Sequence, residues 1–189
     1  MRAFGLRHAL LLVAAAVAVA MVPHHTATTR KYDAAACGPV RDVPWSHSLA
    51  RNNAMITCLL NYERARRGLG PLVRVPALDA SSKRQSDDMV ARRYFEHVSP
   101  DGIAPEARIA DAGYVVREGG MTGENIAWGE GDAGTPAAIV DGWMHSPGHR
   151  ENILRPEFSQ VGVGLTLGDA PERRATEHLS ATYTTDFGG

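Results

Sequence analysis

Three polar side chains sit in segments punctuated by glycine and proline. His97 precedes the turn sequence Ser99-Pro100-Asp101-Gly102, Glu124 follows Gly119-Gly120 and Gly123, and His149 follows Ser146-Pro147-Gly148. Such loops bring polar groups together without occupying the core. His145 and His149 stand four residues apart, the spacing at which a continuous helix aligns two metal-binding imidazoles. Pro147-Gly148 breaks that helix between them, so the pair is not a metal motif. Ser146 is a candidate nucleophile if it faces His149 and Glu124. It lacks a strand–turn–helix elbow, and Pro147 follows directly, so its expected role is to cap a helix end.

The elements that must position these groups are legible in part. A helix begins at Ser48, with Leu49, Asn53, Ile56 and Leu60 at helical spacing, and ends at Gly68 before Gly70-Pro71. A second is expected from Ala77 to Phe95, placing Leu78, Ser82, Gln85 or Ser86, and Met89 on one side; its small residues imply close approach to a neighbour. Pro105 to Ala112 reads as a short helix closed by Gly113, and the chain then reads as loop up to Glu124. Thr135-Pro136 starts a helix through Met144, with proline at its favoured first turn. Arg150 to Leu154 reads as one further turn. Val161 to Leu167 alternates as a strand, and Thr176 to Phe187 reads as its antiparallel partner. Helices bracketing mostly C-terminal strands make an α/β layered domain.

The bulk properties fix the setting. A chain of 189 residues with a net charge of −1 gives no electrostatic reason to bind nucleic acid or an anionic membrane. Arginines crowd the first half, among them Arg64, Arg66, Arg67, Arg84, Arg92 and Arg93, and are expected to coat helices as solvated side chains. Residues 1–22 carry Arg2, Arg7 and His8 before the apolar run Ala9–Val22, with Ala18-Val19-Ala20 as a small-x-small cleavage site. The run is shorter than the roughly 20 residues of a membrane span and fits a signal peptide, with an uncleaved N-terminal anchor as the competing reading; either way the rest of the chain is exported. Export is therefore expected, with no stable membrane span afterwards. Residues 23–47 read as an irregular arm and 48–189 as the domain. Cys37 and Cys58 are the only cysteines, and in an exported chain they are expected to pair, stapling the arm to the first helix. Closing such a loop is worth roughly 3 kcal/mol in the chain-entropy model.

Four segments, in order, carry a family resemblance. They are Asn61-Tyr62-Glu63-Arg64-Ala65-Arg66-Arg67-Gly68-Leu69-Gly70-Pro71-Leu72; Tyr94-Phe95-Glu96-His97-Val98-Ser99-Pro100-Asp101-Gly102; Gly123-Glu124-Asn125-Ile126-Ala127-Trp128-Gly129; and Gly142-Trp143-Met144-His145-Ser146-Pro147-Gly148-His149-Arg150-Glu151-Asn152-Ile153-Leu154. Together with the ending Tyr183-Thr184-Thr185-Asp186-Phe187-Gly188, the chain resembles the bacterial secreted branch of the CAP superfamily (cysteine-rich secretory, antigen 5 and pathogenesis-related proteins; SCP domain) across nearly all of its mature length.

The resemblance implies a three-layer α–β–α sandwich with a central antiparallel sheet. It also implies a cleft with two histidines and two acids able to hold a divalent metal. Those positions fall on His97, His149 and Glu124, while Ser146 stands where fuller members carry the second acid. Two imidazoles and a carboxylate are the first shell of a familiar zinc site, and they also suit weaker divalent ions. The expected function is an extracytoplasmic, cell-surface or secreted binding module whose His/Glu cleft takes a metal, an unspecified small molecule, a lipid or a cell-envelope component. The alternative is a metal-assisted hydrolase, a peptidase acting on envelope or external substrates. Ser146 in place of the acid favours the first. Asn125 and Asn152 are expected to tie loops, and Trp128 and Trp143 to serve as core or pocket wall.

Overall fold

A computed structural model of the protein describes residues 34–172 and 179–189. The signal segment and the first part of the arm lie outside the described residues. From Ala34 the arm holds only two short 3-10 turns, Ala34–Cys37 and Pro44–Ser46. The Cys37–Cys58 disulfide joins it to the first helix.

Five helices and four strands follow. Helix α1 spans Leu49–Ala65 and α2 spans Pro76–Arg92; α3 is Pro105–Asp111, α4 Pro136–His145 and α5 Pro147–Leu154. Ser48 caps α1 by accepting from Arg51 N–H at 3.2 Å, and Thr135 caps α4 by accepting from Ala138 N–H at 3.3 Å. Strand β1 is Val73–Arg74, β2 Thr122–Glu130, β3 Gln160–Gly168 and β4 Ser180–Gly188, in the spatial order β1-β3-β4-β2. The three long strands are antiparallel; the two-residue edge strand β1 runs parallel to β3.

The sheet's two faces differ in kind. Val161, Val163 and Leu165 of β3 and Ala181, Tyr183 and Phe187 of β4 pack with Ile56 and Leu60 of α1, Ile139 and Trp143 of α4 and Ile153 of α5. On the other face α2 lies directly on the strands: a Cβ on Gly162 would stand 2.0 Å from the Leu78 backbone, and one on Gly164 2.2 Å from the Ser82 backbone. This is the close approach that the small residues of α2 foreshadow.

Several expectations are corrected. Helix α2 stops at Arg92 rather than Phe95, because Arg93 turns left-handed (φ 58°) and its N–H closes on the Met89 carbonyl. The stretch expected to stay loop-like up to Glu124 is already strand β2 from Thr122. Gly123 is there for packing, since a Cβ would lie 3.0 Å from Asn152 Oδ1 and from the Phe158 ring. The turn expected at Arg150–Leu154 is the C-terminal part of α5, which starts at Pro147, so His149 is helical. Proline both ends α4 and opens α5. Ser146 occupies the boundary, but its hydroxyl does not cap α5.

Arg64 is not a solvated helix arginine. It is 1% exposed and donates to the carbonyls of Gly70, Ile153, Arg155 and Phe158 at 2.7–2.9 Å. Its guanidinium ties α1 to the end of α5 without an acid, and burial lowers its pKa. The other arginines of that group, Arg66, Arg67, Arg84, Arg92 and Arg93, are exposed.

Candidate functional site

Glu124 lies on β2, directly across the ladder from Asp186 of β4. Its side chain is almost fully buried, and both carboxylate oxygens are engaged. Oε1 is 2.8 Å from His97 Nδ1, and Oε2 accepts from Arg108 Nη2 at 2.7 Å. Arg108 comes from α3 and is itself buried; it also donates to the His97 carbonyl (3.0 Å) and the Ile103 carbonyl (3.0 Å). One guanidinium thus fixes the carboxylate and the loop that carries His97. With Nδ1 turned to Glu124, the half-exposed His97 ring (47% of its side chain) has its other nitrogen away from the carboxylate.

His149 approaches from α5. The His149 carbonyl accepts from Asn125 Nδ2 at 3.0 Å, and Asn152, one turn along the helix, donates to the Glu124 carbonyl at 3.1 Å and to Asn125 Oδ1 at 2.9 Å. The two asparagines therefore tie α5 to β2, the loop-tying role expected of them. Trp143 is core, and its Nε1 donates to the Ile126 carbonyl at 3.1 Å. Side chains of α4 and α5 thus cap outward carbonyls of the edge strand where a fifth strand would otherwise pair.

The two imidazoles are held in opposite electrostatic states. The hydrogen bond to Glu124, followed by that carboxylate's charge, raises the His97 pKa against a desolvation penalty. Burial, and then the charge of His97, lowers that of His149. His149 senses His97, so the two rings share one electrostatic neighbourhood.

Beneath them lies Asp186, 0% exposed, with neither carboxylate oxygen hydrogen-bonded. Burial, together with the charge of Glu124, pushes its pKa up to about 8. The hydroxyls of Ser81 and Ser82 and the charge of Arg108 oppose this in part, without a hydrogen bond of ordinary geometry closing on the carboxylate.

Of the sequence-predicted residues, His97 and Glu124 are in contact, and His149 stands beside them. Ser146 has no hydrogen bond to His149 or Glu124 among the described residues; its backbone bridges Trp143 and Arg150. Arg108 and Asp186 escaped the sequence reading. Nothing in the spacing of an isolated arginine on a seven-residue helix marks it as buried, and Asp186 reads as one more polar residue in an alternating strand.

His97, Glu124 and His149 as arranged do not present a metal first shell: Glu124 turns one oxygen to His97 Nδ1 and the other to the Arg108 cation, which disfavours a further cation on the carboxylate. Among the described residues no three His, Cys, Asp or Glu side chains gather as a metal group.

The comparisons agree with the fold. The chain is 41% identical to YkwD of Bacillus subtilis over 106 residues, covering 56% of this chain and 39% of YkwD. It is 32% identical to the membrane protein YlbC of the same species over 126 residues, covering 67% of this chain and 35% of YlbC. The chain thus spans well under half the length of both curated relatives. Among solved structures, an extracellular SCP-domain protein of Bacillus anthracis matches with a TM-score of 0.57 at 25% identity, over 75% of this chain and 43% of that one. An outer surface protein of Borrelia burgdorferi matches with a TM-score of 0.60 at 17% identity, over 75% of this chain and 95% of that one, a likeness of fold. The model of the CAP, cysteine-rich secretory protein family matches residues 58–179, and this chain belongs to that family.

Proposed function

We propose that the protein is an exported, extracytoplasmic binding module that takes a small polar ligand in the cleft bounded by His97 and His149, above Glu124. The observation that carries this reading is the buried Glu124 carboxylate, held by His97 at 2.8 Å and Arg108 at 2.7 Å. A carboxylate locked on both oxygens orients a recognition group well and serves poorly as a free general base or metal ligand. His97 then offers its outward nitrogen at a fixed angle, and His149, kept neutral by burial, offers a second imidazole from the opposite layer. Hydrolysis would ask for an activated nucleophile, and Ser146 has no base bonded to it.

Export is supported by the positive n-region and short apolar run, by the disulfide, and by the similarity to an extracellular protein of Bacillus anthracis. Among the described residues no helix is long and apolar enough to cross a membrane.

The test is a screen of cell-wall peptide and glycan fragments by NMR, read on the His97 and His149 imidazole resonances of the mature protein. A ligand that shifts both rings, and whose binding is lost in His97→Ala, is the expected result. Chelator-sensitive cleavage of those peptides, lost in His97→Ala and His149→Ala, would replace this reading with the hydrolase.

A further inference from the structure

The charge at the base of the cleft is settled by a residue from outside the family motif. Arg108 is buried, its guanidinium sits on Glu124 Oε2 at 2.7 Å, and its remaining contacts are backbone carbonyls of His97 and Ile103. A planar guanidinium is always charged, and here solvent can neither screen nor replace it. We propose that Arg108 is the cleft's internal counter-ion, a built-in cation that takes up the negative charge of Glu124 and sets the pocket against divalent metal ions.

The physical case has three parts. A metal-binding imidazole is commonly backed by a carboxylate that accepts its second N–H and strengthens it as a ligand. Glu124 stands behind His97 in that way, but its charge is opposed from the other side by Arg108. A doubly charged ion at the imidazoles would meet a neutral pair in place of a carboxylate, with the Arg108 cation just beneath. Ser146 adds no compensating charge. Without Arg108 the balance reverses: the buried Glu124 carboxylate, 2.8 Å from His97 Nδ1, is left without its cation, while Asp186 opposite it in the sheet stays a neutral acid. The guanidinium is therefore what keeps the Glu124 charge from serving a cation at the imidazoles.

This inference rests on the cleft being a binding site, and zinc is the probe. Calorimetry and the imidazole resonances of His97 and His149 are followed together. Wild-type protein is expected to bind zinc only in the millimolar range. Arg108→Gln should bind about tenfold tighter or more, the size of a typical outer-shell effect on metal affinity, with both rings shifted at saturation. Arg108→Lys keeps the cation and should stay close to wild type. Micromolar zinc saturating both imidazoles of the wild type overturns the proposal, and so does a folded Arg108→Gln that binds no tighter.

Should Arg108→Gln fail to fold, the comparison moves to Glu124→Gln, which leaves Arg108 unopposed, and Glu124→Gln/Arg108→Met, which removes the pair as a unit. Zinc must bind more weakly to the first than to the second; equal affinities also overturn the proposal. Failure of the underlying binding-site reading looks different: zinc and the wall fragments then leave both rings unmoved in every variant.

Discussion

The two faces of the sheet are built from the same three strands and obey opposite rules. Toward α1, α4 and α5 the strands present Val161, Val163, Leu165, Tyr183 and Phe187 in one apolar core. Toward α2 they present Gly162 and Gly164 alongside Thr184 and Asp186, which are their ladder partners on β4. The helix answers with Ser81, Ser82, Gln85 and Ser86, all buried. The apolar face gains stability from area removed from water. The polar face gains closeness: removing two Cβ atoms lets a helix backbone rest on a strand, and small hydroxyls such as Ser86 Oγ, 2.9 Å from Thr184 Oγ1, fill the seam. The candidate site lies along β2, where His97 follows α2 on the polar side and His149 arrives on α5 from the apolar side. A rigid, tightly seated layer fixes one imidazole and a conventional core fixes the other.

The largest expected effect tests closeness against area. Gly164→Val places a side chain where a Cβ alone would lie 2.2 Å from the Ser82 backbone. Backbone cannot be repacked as a side chain can, so the helix must lift from the sheet, at a cost above about 4 kcal/mol. Leu165→Ala, the next residue and on the apolar face, should cost about 2–5 kcal/mol through a cavity and leave the fold intact. Urea denaturation measures both. A Gly164→Val protein less damaged than Leu165→Ala would mean the polar face is loosely packed.

What was legible in the sequence follows the same division. Helix α1, helix α4 and the β3/β4 pair announce themselves because apolar residues recur at periods fixed by burial on one face. Strand β2 did not, because Gly119-Gly120 and Gly123 read as a loop. In the fold Gly123 lies within the strand and admits the Phe158 ring, which a Cβ would meet at 3.0 Å. Glycine's local signal is the same whether it serves a turn or a close approach. For the site, the motif segments point to His97, Glu124 and His149. Arg108, which holds Glu124 and the His97 carbonyl, belongs to no local pattern, and Asp186, though it lies in the closing segment Tyr183–Gly188, shows no sign there of its burial, since burial of a charge is a tertiary fact. Arg64 is the same lesson: its neighbours Arg66 and Arg67 are exposed, and only the fold distinguishes them.

Asp186 sharpens the comparison through pH. Its pKa is raised by burial and by Glu124 to about 8, so the folded protein favours the neutral acid. Between the ordinary carboxylate range near pH 4 and about pH 8 the unfolded chain loses that proton while the folded chain keeps it. Its contribution to stability is therefore full below about pH 4, falls as pH rises, and levels off above about pH 8. Asp186→Asn mimics the neutral acid and removes this slope. The variant should be more stable than wild type by up to about 4 kcal/mol at pH 7, with no advantage at pH 4. Because the histidines titrate alike in both proteins, the difference between the two urea series isolates Asp186. A variant that is less stable at pH 7 would mean the carboxylate is charged and paired in the fold.

The smallest expected effect lies where the faces meet. Asn152 donates to the Glu124 carbonyl and to Asn125 Oδ1, and Asn125 in turn holds the His149 carbonyl. This chain of amides is all that links the α5 backbone to β2 at the level of the cleft by side-chain hydrogen bonds among the described residues. Asn152 is only half-buried, so water can replace much of what Asn152→Ala removes. The stability loss should be about 1 kcal/mol, the net worth of an ordinary hydrogen bond. The site should notice more than the fold does. With α5 less firmly seated, His149 gains solvent, and the desolvation that lowers its pKa weakens. Its imidazole should then titrate closer to the ordinary histidine value, while the ring of His97, held by Glu124 from the polar side, stays put. NMR titration of the two rings reads this directly. Equal shifts of both histidines would show one cooperative unit, and an unmoved His149 would show that the apolar core seats α5 without the asparagines.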